Sequence, residues 1–161
     1  MLLRPATPSD IPRILEIERL PVSQDFVGQW SEARHTANLA GSDARYFIAP
    51  SASGEMQAYA ILRGFEEDNR AIELKRIVVA KPDCGLGRKI LAELVRLSFR
   101  DFGAHRLFLD VYEDNVRARH LYESLGFVYE GVLREAALRD GKFCNLHLMS
   151  MLESEYSARN H

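Results

Sequence analysis

Cysteine is nearly absent from this chain: its 161 residues include two, Cys84 and Cys144, in no CxxC or Cys/His ligand spacing. That excludes a disulfide scaffold and predicts reduced thiols. The five histidines, at 35, 105, 120, 147 and 161, form neither an HExxH arrangement nor an i, i+4 pair, so no metal is expected. An excess of charge of one sign is also lacking. With 21 Lys and Arg against 23 Asp and Glu, a net charge of -2 and a sequence pI near 6.2, nothing favours a nucleic-acid partner. No apolar run approaches membrane-spanning length, and Met1-Leu2-Leu3-Arg4-Pro5 has no long apolar core after a basic start. No membrane partner is therefore expected, and the chain is read as soluble and cytoplasmic. Repeats, linkers and low-complexity tracts are missing too, so with 47% hydrophobic content the expectation is one domain over residues 1–161.

What is present reads as alternating elements. Residues 2–5 suggest a short strand, and Thr7-Pro8-Ser9-Asp10 supplies a cap, an early proline and an acidic first turn for a helix. Ile11, Ile14, Leu15 and Glu18 line one face of that helix, although Pro12 pushes its start towards Asp10. A second helix over 29–40 closes at Gly41, a strand follows at 45–49, and apolar runs at 56–65 and 71–80 read as a hairpin. From Gly87 the apolar period changes from two to 3.6, through Ile90, Leu91, Leu94 and Val95 to Phe102-Gly103. A strand at 105–112, a helix at 115–125, a strand at 127–134, a turn at Asp140-Gly141 and a strand at 143–152 complete the reading, with 154–161 left to fray. This order predicts an α/β domain with a mixed sheet.

Two stretches carry chemistry. In the first, a strand from Glu73 to Ala80 meets a turn with Gly85 and Gly87 and then a helix. Glycine lets backbone approach a ligand, and a helix N-terminus offers unpaired N–H groups and a positive dipole end, so the turn is an anion cradle fit for a pyrophosphate. A glycine pair can equally serve only to turn the chain. A dinucleotide fingerprint would need a small residue where Ile90 stands, and a P-loop would need Ser or Thr there after Lys89.

In the second stretch, Asn115, Ala118, Leu121, Tyr122, Gly126 and Phe127 fall in the pattern Asn-x-x-Ala-x-x-Leu-Tyr-x-x-x-Gly-Phe. That pattern resembles the GNAT superfamily of acyl-CoA N-acyltransferases, and the order of elements resembles it over nearly the whole chain. The openings Glu73-Leu74-Lys75-Arg76-Ile77 and Glu130-Gly131-Val132-Leu133-Arg134 and the Asp140-Gly141-Lys142 turn are similar to the branch with ribosomal-protein N-terminal acetyltransferases and many amine acetyltransferases. The resemblance implies a mixed, mostly antiparallel sheet flanked by helices and a direct transfer from acetyl-CoA, as cosubstrate, to a primary amine on a small molecule or a protein N-terminus. It implies donor-binding roles for Ile77, Val78 and Val79, whose backbone would pair with the pantetheine arm and supply an oxyanion donor. Pyrophosphate binding would fall to Asp83, Cys84, Gly85, Leu86, Gly87, Arg88 and Lys89, with Asn115 and Ala118 beside the donor. The turn departs from the family in being shorter, with Pro82 where Arg or Gln is common. Homodimers occur among relatives and are a possible state here.

An alkylammonium of pKa about 10 must lose a proton before it attacks a thioester. By resemblance Glu73 is the candidate base, with an ordinary surface ion pair as the competing reading. Expulsion of a thiolate, whose parent thiol has a pKa of roughly 8.5, is helped by a proton donor, and Tyr122 is the candidate acid. Asn115 is equally suited to capping a helix. Cys84 at a helix start is read as loop filler, because direct transfer needs no nucleophile. Phe26 and Trp30 are core or acceptor-pocket residues, and acceptor choice would lie chiefly within 20–40 and 134–143. The rival from another class is a non-catalytic acetyl-CoA-binding sensor.

Overall fold

The computed structural model describes residues 2–82 and 84–160. Its strands are β1 (Arg4–Pro5), β2 (Ala44–Pro50), β3 (Met56–Arg63), β4 (Ala71–Val79), β5 (Arg106–Tyr112), β6 (Val128–Arg139) and β7 (Lys142–Leu152). They form one seven-stranded sheet in the order β1-β2-β3-β4-β5-β7-β6. Only β4 and β5 run parallel; every other neighbouring pair is antiparallel. The helices are α1 (Ile11–Glu18), α2 (Glu32–Ala40), α3 (Leu86–Arg96), α4 (Val116–Ser124) and α5 (Glu153–Arg159). The mixed, mostly antiparallel sheet with flanking helices is the architecture that the sequence implied.

Each face of the sheet buries its own cluster, as strand alternation requires. Phe47 and Ala49 join Ile72, Leu74, Leu107 and Leu109 against Ile90, Leu91 and Leu94 of α3. Their neighbours Tyr46 and Ile48 join Tyr59, Ile61 and Val78 against Ile14 and Ile17 of α1. The spacing of the apolar positions in α3 is thus the stripe that meets the sheet. A bulge interrupts the alternation in β4. Leu62 pairs with Leu74 but Ile61 pairs with Arg76, so Lys75 is an extra residue. The inserted residue reverses the parity of the strand beyond it: Leu74 faces α3, whereas Arg76 and Val78 face α1 and α2.

That reversal makes a buried polar cluster possible. Glu18 Oε2 accepts hydrogen bonds from Arg76 Nη1 at 2.8 Å, Tyr59 Oη at 2.8 Å and His35 Nε2 at 3.0 Å. His35 Nδ1 lies 2.8 Å from Tyr46 Oη, so the imidazole bridges Tyr46 and Glu18. Glu18 Oε1 is buried without a hydrogen-bond partner. One carboxylate therefore ties α1 to α2, β3 and β4.

Three differences from the sequence reading have a clear local cause. Helix α2 starts at Glu32, because Ser31 Oγ accepts from the Arg34 N–H at 3.1 Å and fixes the first turn there. Strand β6 runs to Arg139, since Asp140 (φ 52) and Gly141 (φ 77) close a tight hairpin with β7. Residues expected to fray form α5, where Glu155 Oε2 accepts the Leu152 N–H at 3.1 Å and Tyr156 stacks on Phe99 at 4.9 Å.

Burial alone would raise the Glu18 carboxyl, but hydrogen bonds from His35 and Tyr59 and the charge of Arg76 hold it below its ordinary value. A carboxyl lowered in the folded state stabilises above its unfolded pKa, and that contribution is lost as pH falls through the folded pKa. Glu18→Ala leaves Arg76 buried without a counter-charge and is expected to cost about 3–5 kcal/mol in urea unfolding at neutral pH. Exposed Glu16→Ala should cost about 0.5 kcal/mol or less. The Glu18 gap should narrow in acid; a gap independent of pH would contradict this account.

Candidate active site

The ladder between β4 and β5 is short. It pairs Ala71 with Arg106, Ile72 with Leu107 and Glu73 with Phe108, and stops. Beyond Glu73 the two strands part, and a cleft of about 1160 Å³ opens between them. One wall is Leu74 to Val79 of β4, the other Asp110, Val111 and Tyr112 of β5, with Asn115, Ala118, Leu121 and Tyr122 from α4.

Strand alternation decides which backbone groups face this opening. The Ala80 N–H donates to the Gln57 carbonyl at 2.9 Å, and Val78 stands opposite Tyr59 in the same register. In an antiparallel ladder the intervening residues turn their N–H and C=O groups away, so Ile77 and Val79 present theirs to the cleft while Val78 is committed to β3. Past Val79, the chain turns at Gly85, whose φ of 77° is left-handed and which caps α3. Gly85, Gly87, Cys84, Arg88, Lys81 and Pro82 line this end of the cleft. A Cβ on Gly87 would lie 3.6 Å from Val79 Cγ2, so the turn packs directly on the end of β4. Arg88 is held by a 2.6 Å hydrogen bond from its Nη1 to Ser124 Oγ.

The other end is closed by two segments, Val22 to Arg34 before and within α2, and Ala136 to Leu138 of β6. Arg139 fastens one to the other. Its guanidinium donates to the Asp25 carbonyl at 3.0 Å and to both carboxylate oxygens of Asp114 at 3.2 and 2.7 Å. Trp30, 8% exposed, is the aromatic floor, with the guanidinium carbons of Arg34 and Arg76 at 3.9 and 4.1 Å from its ring centroid. Phe26 also lines this end, half-exposed.

Of the residues singled out in the sequence, the structure brings Ile77, Val78, Val79, Cys84, Gly85, Gly87, Arg88, Asn115, Ala118 and Tyr122 to the cleft. Leu86 instead packs on the core beneath α3, and the side chain of Lys89 is exposed outside the cleft lining. Asp83 lies outside the described residues. Asn115 caps α4, its Oδ1 accepting from the Ala118 N–H at 3.3 Å. Glu73 is not among the lining residues: it sits where the ladder is still closed, and its Oε2 takes the Arg63 Nε at 2.5 Å.

A carboxylate that the sequence reading passed over does line the cleft. Asp110 lies on β5 past the last rung of the ladder, on the face shared by Phe108 and Glu73. Burial pushes its carboxyl above the ordinary range, with Lys75 and Arg63 opposing and Glu73 reinforcing the shift. Lys75, the bulged residue, is pushed below its ordinary range by burial and by the charge of Arg63. Tyr122 is almost fully buried; burial, aided by the charge of Asp110, pushes its phenol up to about 12. The signal for Asp110 was present: it is the one charge between Leu107, Leu109 and Val111, on the alternate face of an otherwise apolar strand.

Comparison with known proteins places this cleft in a family. A family model described as the acetyltransferase (GNAT) family matches residues 12–127. The spermidine N(1)-acetyltransferase of Vibrio cholerae is 28% identical over 131 residues, which cover 80% of this chain and 75% of that protein. The L-amino acid N-acyltransferase MnaT of Escherichia coli is 30% identical over 128 residues, or 76% of this chain and 69% of that one. The fold is that of the spermidine N-acetyltransferase from Vibrio cholerae solved with CoA and spermine, with a TM-score of 0.85, 23% identity and 96% of each chain covered. A family match over most of the sequence, on this split sheet, has one reading: the chain belongs to the acetyltransferase (GNAT) family and is an acetyl-CoA-dependent N-acetyltransferase.

Proposed function

We propose that this chain, acting as one domain over residues 1–161, moves an acetyl group from acetyl-CoA directly to the primary amine of a small molecule. The observation that carries the reading is the parting of β4 from β5. It sets an unpaired strand edge, a glycine turn at a helix N-terminus, a carboxylate and a phenol along one cleft. The named relatives act on polyamines and amino acids, which supports a small acceptor over a protein N-terminus. The narrower likeness to the ribosomal-protein branch therefore speaks to shared motifs, not to the acceptor.

Acetyl-CoA supplies an acetyl group activated as a thioester, and the cleft has groups suited to hold it. Backbone N–H groups at the start of α3, with Lys81 and Arg88 nearby, suit the pyrophosphate. The free edge at Ile77 and Val79 suits an extended amide-bearing arm. An N–H from this edge is also suited to the thioester oxygen as negative charge develops there.

Asp110, rather than Glu73, takes the proton from the acceptor ammonium. Its raised pKa brings a carboxylate closer to the range in which it accepts a proton and returns it. Glu73 acts behind it as a positioning charge that, with Arg63, sets the affinity of Asp110 for the proton. Tyr122 stays protonated at neutral pH, but a phenol near 12 gives up its proton uphill to a thiolate whose parent thiol titrates at about 8.5. Its contribution is a hydrogen bond to the departing sulfur, with the proton delivered to CoA from solvent or from Asp110.

Asp110→Asn should lower kcat/KM by about 10²–10⁴-fold. Its thermal stability at neutral pH should be equal or higher, because a carboxyl raised in the folded state stabilises below its unfolded pKa and loses that contribution as pH rises through the folded pKa. Glu73→Gln should shift the acidic limb of the rate profile to lower pH at modest cost. Near-normal turnover in Asp110→Asn, with a dead Glu73→Gln, would return the base to Glu73. Tyr122→Phe should cut turnover and spare acetyl-CoA affinity; unchanged turnover would remove Tyr122 from the reaction.

A further inference from the structure

The acceptor end of the cleft carries a particular balance of charge. Among the described residues the cleft lining holds six cations, Lys81 and Arg88 by the glycine turn and Arg34, Lys75, Arg76 and Arg117 elsewhere, and two carboxylates, Asp110 and Asp114. Most of these are already engaged. Arg76 is bound by Glu18 at 2.8 Å, and Asp114 is gripped through both oxygens by Arg139. Lys75 and Asp110 face each other electrostatically, each moving the pKa of the other towards its charged form. Arg34 is different. It is exposed on the first turn of α2 and held over the Trp30 ring at 3.9 Å, and none of the ion pairs among the described residues includes it.

A polyamine would bring at least one further ammonium into this space. Among the described lining residues the carboxylate not already engaged by an arginine is Asp110, which is needed for the reacting amine, so a second ammonium would meet the guanidinium of Arg34 without a counter-ion of its own. Like charges brought together in a partly desolvated cleft repel more strongly than they would in water. An acceptor whose second charge is negative meets the opposite situation. A guanidinium already oriented on an aromatic ring presents a planar fork that matches a carboxylate through two hydrogen bonds.

Building on the reading of this cleft as an N-acetyltransferase site, we propose that the acceptor is an amine that also bears a carboxylate, as an amino acid does. Arg34 holds that carboxylate, and the charge balance of the cleft disfavours polyamines. The apolar groups of Val22, Phe26 and Val27 beside Trp30 suit an uncharged side chain on such an acceptor.

The test is CoA release from acetyl-CoA by the whole chain with three sets of acceptors: free L-amino acids, their matched C-terminal amides, and spermidine and spermine. Free acids should exceed their amides in kcat/KM by on the order of tenfold or more, the effect of one charge-assisted hydrogen-bonded pair. Arg34→Ala should collapse that acid-over-amide ratio through KM, and Arg34→Lys should restore part of it. A preference for spermidine or spermine, equal use of acid and amide, or an Arg34→Ala defect that falls on acetyl-CoA instead would overturn the assignment. CoA release with polyamines alone would sink only this inference. No release with any amine would sink the N-acetyltransferase reading beneath it as well.

Discussion

The parting of β4 from β5 after Glu73 is the constraint on which the rest of the molecule depends. A parallel ladder that continued to Val79 would satisfy every backbone group of both strands and leave no site. Here it ends after three rungs. The bulge at Lys75 begins two residues later and reverses the faces of β4, which turns Arg76 towards Glu18 and leaves Ile77 and Val79 facing the gap. The unpaired edge would be costly if it were sealed in apolar surroundings. An open cleft relieves that cost through solvent, and an extended ligand relieves it further.

Holding the strands apart requires rigid supports on both sides. On one face α3 and α4 pack into the larger apolar cluster, and on the other the Glu18 cluster joins four elements through a single carboxylate. Such a buried ionic group adds less net stability than its bonds suggest, since desolvation offsets them. It adds geometry, because the 2.8 Å bond to Glu18 holds the Arg76 guanidinium in place. Trp30 is then fixed beside Arg76, and Arg34 beside Trp30, so the acceptor wall is set by contacts that start in α1.

Much of this was legible in the residues. The glycine turn and the Asn115 to Phe127 pattern are local signals, and the elements that carry them lie within a few residues of where periodicity put them. Boundaries shifted where a single hydrogen bond decided them, as at Ser31 and Glu155. The bulge at Lys75 was not legible, because it depends on the register with β3 and no local signal marks it. The strand position of Glu73 marks it as a candidate base, yet whether a strand residue faces a cleft depends on where the neighbouring strand stops pairing. That is a tertiary fact. Asp110 was the counterpart: a lone carboxylate in an apolar strand becomes informative once the ladder is known to end at Phe108.

The central claim, that the acyl donor docks along the free edge of β4, is tested most directly by residue-resolved amide hydrogen exchange with and without CoA. The account predicts that the Ile77 and Val79 amides exchange readily in the free protein and become protected on addition of CoA, while Val78, bonded to β3, is slow in both states. Unaltered exchange at Ile77 and Val79 in the presence of saturating CoA would contradict it.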